Sequence, residues 1–438
     1  MISVRYIAIL SLATALCATG GESVSSWGTL LGNPTLDDWI HAALTDASSL
    51  DVSRAELRVA AANGRAARAA GRPTLDARMD LREGRRRNLM TGGVTDDLDP
   101  IAAGVDASWE LGLFGRISSA VNAAEFAELA GEHHLRDREL ALAAEVAQRY
   151  VEGHCFSKHL AIREAAVAAN QAITDYLAGR VAAGLMRPQE QEAADAARLL
   201  AERRVAEARE ELGALDARWR YLLPNESIPS VGSIACPLPE PLPEVPDGSA
   251  LHTYVLSRPD VQAADAIWRG AEQSTQAEAR DRRPVLTAIA SVEGEGPSPT
   301  ENPDEWMAWA GIRLSLPVLA PKAGAALRSR RAEEDVKAAL YNETVRLGLL
   351  DIREAFVKRV HAEKRWQAAK QEAMQLRASL ESAERQYEQG LESITVRENA
   401  RLRWLHADER RLRLHALALQ RHIALVRACG GPGFDQGG

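Results

Sequence analysis

Four segments of the chain alternate apolar and polar residues, a pattern that predicts β-strands with one apolar face. In the first segment, Leu75, Ala77 and Met79 lie on one face and Asp76 and Arg78 on the other. The second and fourth segments alternate as clearly, and the third alternates only weakly. The alternation predicts strands at about 73–83, 104–114, 284–294 and 306–317.

Helical periodicity dominates the rest of the chain. From about 117 to 180 there is no proline, and apolar residues recur every three or four positions, as Leu140, Ala144 and Ala147 do. A second such stretch extends from about 323 to 389. At about 1.5 Å per residue, each stretch predicts a helix of roughly 95 Å. The last helix has an alternating three–four pattern of apolar residues, which favours packing against partner helices.

The chain contains an internal duplication, which predicts its domain organisation. Three landmarks recur in the same order, about 205 to 211 positions later. They are a helix followed by Pro73 or Pro284, a strand end at Leu113-Phe114 or Val318-Leu319, and a turn at Gly184-Leu185 or Gly390-Leu391. We predict a signal peptide at 1–20, a first repeat at 27–223, a proline-rich linker at 224–248, a second repeat at 249–431 and a tail at 432–438.

Residues 1–20 have the composition of a secretory signal. Arg5 supplies a positive charge, Ile7 to Leu16 is a short apolar stretch, and small residues follow. The pattern predicts export; the alternative is a buried N-terminal helix. Cys17 is a candidate lipidation site of a bacterial lipoprotein, although Leu16 is bulky where that signal prefers a small residue.

Exported strands of about ten residues with one apolar and one charged face are typical of outer-membrane barrels. The alternative is a half-buried sheet in a soluble domain, but the export signal and the strand length favour the membrane. No run of about 18 apolar residues occurs beyond the start of the chain, which excludes a helical span. Four strands cannot close a barrel, and open edges are not tolerated in lipid. Several copies must therefore contribute, as a dimer with eight strands or a trimer with twelve.

Composition and motifs exclude several other function classes. The chain has 53 basic and 61 acidic side chains, and its net charge of -8 argues against nucleic-acid binding. We expect neither an enzyme nor a cofactor, because no G-x-S-x-G, Walker or H-E-x-x-H motif occurs. We also expect no metal site, since adjacent histidines such as His133 and His134 diverge by about 100° on a helix.

Several segments resemble the TolC/OprM-like outer membrane factors, the family of outer membrane efflux proteins. They are Trp27 to Leu36, Ser108 to Arg116, Arg258-Pro-Asp-Val261, Tyr387-x-x-Gly390-x-x-Ser393 and Ala428 to Phe434. The resemblance covers nearly the whole mature chain, although Cys429 and Pro432 depart from the usual ending of the family. It implies an α+β membrane protein, a homotrimer with a twelve-stranded outer-membrane β-barrel, four strands per chain. A long periplasmic α-helical barrel would continue it.

The resemblance also implies a function. The protein would be the exit duct of a tripartite efflux pump, in the outer membrane of a Gram-negative bacterium and extending into the periplasm. It would pass small molecules such as drugs passively, with a periplasmic adaptor, an inner-membrane transporter of the RND type and outer-membrane lipid as partners. Alternatives are the outer-membrane component of a type I protein secretion system or of a heavy-metal efflux pump. A different class is a periplasmic structural spacer, for which the amphipathic strands have no purpose.

The turns at Gly184-Leu185 and Gly390-Leu391 are the candidate adaptor-docking sites. Glycine allows a tight reversal that a residue with a Cβ adopts at a cost of about 1 kcal/mol or more. The long helices would place these turns about 95 Å from the strands. The resemblance implies that the adaptor binds there.

The residues after the second turn are the candidate channel gate. In the resembled family, one or two aspartates there form an acidic ring at the periplasmic entrance, and the matching positions in this chain are Val396 and Asn399. Glu392 would share a face with Val396 if the helix already began there, because positions i and i+4 align. We therefore expect Glu392 to form a weaker acidic ring and the duct to be mildly cation-selective. The alternative is that Glu392, like Glu398, is solvated and has no role in passage.

Overall fold

The fold is known from a computed structural model, which describes residues 26–81, 85–87, 94–97, 101–223, 239, 251–296, 305–317 and 321–432. The predicted signal peptide with Cys17 lies outside these residues, as do the linker apart from Pro239 and the tail after Pro432. Among the described residues, no helix combines the length and the apolar character needed to cross a membrane.

The described chain is an α+β fold made of long helices and a small antiparallel sheet. The helices are α1 Trp27–Leu31, α2 Thr35–Asp46, α3 Ser48–Ala69, α4 Arg116–Ala182, α5 Pro188–Leu222, α6 Pro259–Arg280, α7 Pro321–Glu388 and α8 Ile394–Ala428. A 3₁₀ helix, Leu251–Ser257, precedes α6. The strands are β1 Thr74–Leu81, β2 Arg85–Arg87, β3 Val94–Asp97, β4 Ile101–Glu110, β5 Val285–Gly296 and β6 Glu305–Ser315.

The two halves of the chain have the same order of elements. Helices α3, α4 and α5 have 22, 67 and 35 residues, and α6, α7 and α8 have 22, 68 and 35. The two long helices predicted from the absence of proline are thus unbroken over almost the predicted ranges. In each half, two strands of one sheet lie between the first helix and the long helix.

The sheet has the strand order β1-β4-β5-β6, and every neighbouring pair is antiparallel. Between β1 and β4, the strands β2 and β3 form a separate two-stranded sheet that the alternation did not predict. The second predicted strand is also shifted, since β4 begins at Ile101 and ends at Glu110. It ends early because Gly112 and Gly115 adopt φ angles of 59° and 77°, which a strand does not allow.

Contacts divide the chain into two compact units. One unit consists of the segments up to Ala47, from Leu140 to Tyr254 and from Leu350 onward; the other consists of Ser48–Glu139 and Val255–Leu349. Each unit takes segments from both predicted repeats. The compact units therefore do not coincide with the repeats, and the repeat boundaries stay a prediction.

In the first unit, an aromatic cluster holds the N-terminal helices against the long ones. The ring of Trp39 on α2 lies 5.9 Å from that of Tyr150 on α4 and 5.6 Å, edge-on, from that of Trp219 on α5. Asn33 donates from Nδ2 to the Tyr150 hydroxyl across 3.2 Å. Since aromatic pairs add about 1 kcal/mol to the free energy gained by burial, this cluster stabilises the start of the chain.

In the second unit, stacking and backbone contacts join α6 to the long helices. The rings of Trp268 on α6 and Tyr341 on α7 stack with centroids 5.6 Å apart. Thr275 donates from its hydroxyl to the Arg330 carbonyl oxygen across 3.2 Å. At Gly270, α6 lies against α4, and an added Cβ would be in van der Waals contact with the Ala123 carbonyl oxygen, 3.4 Å away.

A buried polar cluster joins α7 to α8 in the first unit. Arg359 and His422 are both fully buried. The Arg359 Nε donates to His422 Nδ1 across 3.4 Å, and Arg359 Nη1 donates to Glu363 across 2.9 Å. Burial, and after it the charge of Arg359, lowers the pKa of His422 to about 4. The imidazole is therefore neutral at neutral pH.

Acid should destabilise the protein through His422. Its folded pKa of about 4 lies below the unfolded value of about 6.5, so the neutral form stabilises the fold. This contribution is complete above about pH 6.5 and is lost as the pH falls towards 4, by up to about 3 kcal/mol. We expect the thermal unfolding midpoint of the detergent-solubilised protein to decrease when the pH is lowered from about 7.5 to 5.

The variant His422→Gln should show a smaller acid-induced fall in the unfolding midpoint, because glutamine does not titrate. His406→Gln is the matched control, since His406 lies on the same helix and is exposed. The control should keep the pH dependence of the wild type. If the unfolding midpoint depended on pH equally in His422→Gln and in the wild type, His422 would not be the group responsible for the acid sensitivity.

Candidate functional site

One face of the four-stranded sheet is apolar on every strand. It consists of Leu75, Ala77 and Met79 on β1, Ala103, Val105, Ala107 and Trp109 on β4, Leu286, Ala288, Ala290 and Val292 on β5, and Trp306, Ala308, Ala310, Ile312 and Leu314 on β6. Its large side chains other than the half-buried Leu286 are exposed, Leu75 by 75% and Trp306 by 73%. Apolar side chains exposed across a whole sheet face are typical of contact with lipid or another apolar partner. The weak alternation of the third predicted strand does not prevent β5 from joining this face.

The opposite face carries the charged side chains of the sheet around Arg78, together with Ile289 on β5 and Met307 and Trp309 on β6. The Arg78 guanidinium lies 2.8 Å from Asp106 on β4 and 2.7 Å from Glu293 on β5. Strand pairing puts Arg78, Gly104 and Glu293 in one row across three strands. A Cβ on Gly104 would come within 2.9 Å of the Val292 carbonyl oxygen. Glycine at this position therefore allows β4 and β5 to approach closely beneath the arginine.

Ion pairs also secure the junction between β4 and α4. The Arg116 guanidinium pairs with Glu110 at the end of β4 and lies 3.7 Å from Asp281, which follows α6. Arg280, the last residue of α6, donates to the Gly115 carbonyl oxygen across 2.9 Å. The last turn of α6 thereby holds the strand-to-helix turn of the first half.

The two predicted turns have the same geometry. Gly184 and Gly390 adopt φ angles of 69° and 73°. The amide after each glycine donates to a carbonyl oxygen five residues earlier, from Leu185 to Arg180 and from Leu391 to Gln386, both across 2.9 Å. This is the Schellman motif, which closes a helix with a left-handed residue. An added Cβ on either glycine would meet nothing within 4 Å, so the requirement for glycine is conformational.

Both turns present an apolar side chain to the surroundings. Leu185 is 64% exposed and Leu391 is 72% exposed. The helices that follow begin within a few residues, α5 at Pro188 and α8 at Ile394. Each turn is therefore a short, fixed reversal that carries an exposed leucine.

The candidate gate residues all lie exposed near the second turn, but not on one helical face. Helix α8 begins at Ile394 with Ser393 as its N-cap, so Glu392 precedes the helix. The condition for placing Glu392 on the same face as Val396 is therefore not met. Val396 and Asn399 lie in the first turns of α8 and are exposed. Their role as a gate stays a prediction.

The expectation that Glu398 is solvated is wrong. Its side chain is 2% exposed, with its carboxylate 2.8 Å from the Nε of Arg397 and 3.9 Å from a guanidinium nitrogen of Arg401. A buried carboxylate requires a cationic partner, and the two arginines supply it. The acidic group that remains exposed after the second turn is that of Glu392.

Sequence reasoning missed the contacts of Arg78 and of Arg280. Arg78 was assigned only to the polar face, although a glycine in the middle of the paired strand was a signal for a close approach. Arg280 reaches Gly115, which is 165 positions away, and no local pattern indicates such a contact. Both contacts join the first half of the chain to the second.

Comparisons with known proteins agree with this geometry. The profile of the family described as outer membrane efflux protein matches residues 39–217 and 251–431. The pyoverdine export outer membrane protein OpmQ of Pseudomonas putida is 25% identical over 433 residues, which cover 92% of this chain and 87% of that protein. The toluene efflux pump outer membrane protein TtgI of Pseudomonas putida is 24% identical over 421 residues, with 91% and 86% covered.

A solved structure shares the fold. The outer membrane protein VceC of Vibrio cholerae superposes with a TM-score of 0.78 at 20% identity, covering 94% of this chain and 100% of that one. The family match includes α3, α4, α6, α7 and α8, most of α5, the strands of the four-stranded sheet and both glycine turns. The chain therefore belongs to the outer membrane efflux protein family, whose members are channels of the Gram-negative outer membrane that extend into the periplasm.

Proposed function

We propose that the chain forms the outer-membrane exit duct of a tripartite efflux pump and passes small molecules by diffusion. The observation that carries the proposal is the apolar face of the sheet, which is exposed on all four strands. In the duct this face contacts lipid, and the polar face around Arg78 lines the aqueous interior. The relatives OpmQ and TtgI are named for pyoverdine export and toluene efflux, which supports small molecules as the class of cargo.

Three copies of the chain complete the duct. Strand β6 of one copy pairs with β1 of the next, which gives twelve strands and leaves no open edge in lipid. Helix α7 offers apolar surface for subunit contacts, because Val336, Leu340 and Leu347 are exposed at helical spacing. Val52 and Val59 on α3 are also exposed, seven residues apart on one helical face.

Light scattering of the detergent-extracted protein, with the mass of the detergent subtracted, should give three times the mass of the mature chain. The double variant Leu340→Glu with Leu347→Glu should shift the mass towards the monomer, because each carboxylate would lie in an apolar contact. Asn342→Glu with Arg346→Glu, on other faces of the same helix, is the matched control and should remain trimeric. A monodisperse monomer that still conducts ions would contradict the proposal.

The two turns dock a periplasmic adaptor, which connects the duct to an inner-membrane transporter. Exposed leucines at fixed reversals supply the apolar contacts that an adaptor would bury. Arg187 precedes α5 and Glu392 precedes α8, so each turn also carries a charge beside its leucine. This combination supports a specific contact rather than a purely structural turn.

The variant Gly390→Val should abolish export while the trimer and its membrane insertion persist. A β-branched residue does not adopt a φ of 73° without strain, so the turn must rearrange. Export is measured as drug tolerance of cells that depend on this duct, and assembly is measured on the extracted protein. Gly213→Val is the matched control, because Gly213 lies inside α5 with nothing within 4 Å of an added Cβ.

The control should keep export, since valine in an exposed helix costs less than about 1 kcal/mol relative to the best helix formers. Unchanged drug tolerance in Gly390→Val would argue against docking at this turn. Loss of the trimer together with export would assign the turn a structural role only.

Glu392 supplies the acidic charge at the periplasmic entrance. In a trimer, three Glu392 carboxylates surround one axis and attract cations, although more weakly than a ring formed inside the helical barrel. Val396 and Asn399 contribute no charge. The duct is therefore mildly cation-selective and only weakly blocked by multivalent cations.

Planar-bilayer conductance with a trivalent cation on the periplasmic side should show weak block of the wild type. Glu392→Gln should remove the remaining block, and Val396→Asp should strengthen it because it adds a carboxylate within α8. Asn399→Gln is the control, since it preserves the charge. Strong block of the wild type that survives in Glu392→Gln would show that the acidic ring lies elsewhere.

A further inference from the structure

All four strands of the large sheet connect to helices at one end. Strands β1 and β5 begin there and β4 and β6 end there, as shown by the pairing of Thr74 with Ser108 and of Val285 with Ser315. Four cations flank this end of the sheet, before β1, before β5 and after β6. We call them the basic collar: Arg72, Arg282, Arg283 and Lys322.

The collar cations are exposed, and none of them forms an ion pair within the described ranges of the chain. Two other cations near this end have partners. Arg116 pairs with Glu110, and Arg68, one helical turn before the collar, pairs with Glu125 across 3.1 Å. The basic collar is therefore a surplus of positive charge that the fold itself does not use.

Exposed apolar side chains lie beside the collar. Leu113 is 67% exposed, and Phe114 and Leu316 are exposed as well, all just beyond the strand ends. Trp109 on the apolar face donates from its indole nitrogen to the Gly71 carbonyl oxygen across 2.9 Å, directly before Arg72. The collar is thus continuous with the apolar face of the sheet.

We propose that the basic collar binds the phosphate groups of anionic glycerophospholipids in the periplasmic leaflet of the outer membrane. The strand ends at the collar are those that lead into the helices, which extend into the periplasm. Clustered cations beside an apolar membrane surface attract anionic headgroups. Tryptophan prefers the same interfacial depth, where its ring is apolar and its N–H finds a polar partner.

The lipid is an anionic phospholipid and not lipopolysaccharide, since lipopolysaccharide occupies the opposite leaflet. The proposal rests on the membrane placement of the sheet that the proposed function assumes. It does not depend on the adaptor, on the transporter or on the cargo. Failure of the transport proposal would therefore leave this inference testable.

The test measures lipid binding to the purified full-length protein in a neutral detergent. Dioleoylphosphatidylglycerol and dioleoylphosphatidylcholine are titrated separately, and bound lipids are counted by native mass spectrometry. At low salt we expect the anionic lipid to bind at least about tenfold more tightly, because each cation near the membrane surface favours anionic lipid. The collar variant Arg72→Gln/Arg282→Gln/Arg283→Gln/Lys322→Gln should lose this preference and keep its oligomeric size.

A control variant with the same change in charge isolates the position of the collar. Arg346→Gln/Arg365→Gln/Arg403→Gln/Arg421→Gln removes four exposed cations from α7 and α8 and should keep the preference. Equal affinity of the wild type for the two lipids would overturn the proposal. The proposal would also be overturned if the control variant lost as much of the preference for anionic lipid as the collar variant does.

Two further experiments use only the wild-type protein, so they test the proposal even if the collar variant does not fold. Raising sodium chloride from about 0.05 to 0.5 M should abolish the preference, because screening weakens contacts between exposed charges. A preference that is insensitive to salt would contradict the collar. Inorganic phosphate that displaces the anionic lipid at equal phosphate concentration would assign the collar to a soluble anion and overturn the lipid proposal.

Discussion

Backbone hydrogen bonding at the two outer strands is the constraint on which the rest of the structure depends. Within the described chain, β1 pairs only with β4 and β6 pairs only with β5. The outer edges therefore carry N–H and C=O groups that water satisfies and that lipid does not. A sheet of this kind in the outer membrane requires further strands at both edges, which the proposed trimer would supply. Helix α7 offers matching apolar surface, so helices and sheet favour the same association.

The two faces of the sheet require one strand register. If the register of a strand shifted by one residue, its apolar side chains would point to the interior and its charged side chains would point to the lipid. The row of Arg78, Gly104 and Glu293 opposes such a slip, because the ion pair across three strands forms only in the observed pairing. Arg78 is partly exposed in one chain, so the strength of this pair depends on how much water the surrounding interior retains.

Elements that depend on periodicity could be predicted from the sequence, and those that depend on a distant partner could not. The absence of proline together with helical periodicity predicted α4 and α7, and alternation, weak in β5, predicted the strands of the large sheet. The end of β4 differed because two glycines with positive φ stop the strand. We expected Glu398 to be solvated, yet it is buried beside Arg397 and Arg401. The positions of charged residues along the sequence do not indicate that such a side chain is buried. Glu392 lies outside α8, because Ser393 is the N-cap residue of this helix.

The pairing of β4 with β5 also has a consequence for biogenesis. Asp106 pairs with Ser291, so the centre of the sheet joins segments that the ribosome produces far apart in time. Before β5 is synthesised, the hairpin of β1 and β4 exposes its apolar face and the β4 edge that later pairs with β5, which makes it prone to aggregation. The first half of the chain therefore remains prone to aggregation until β5 pairs with β4.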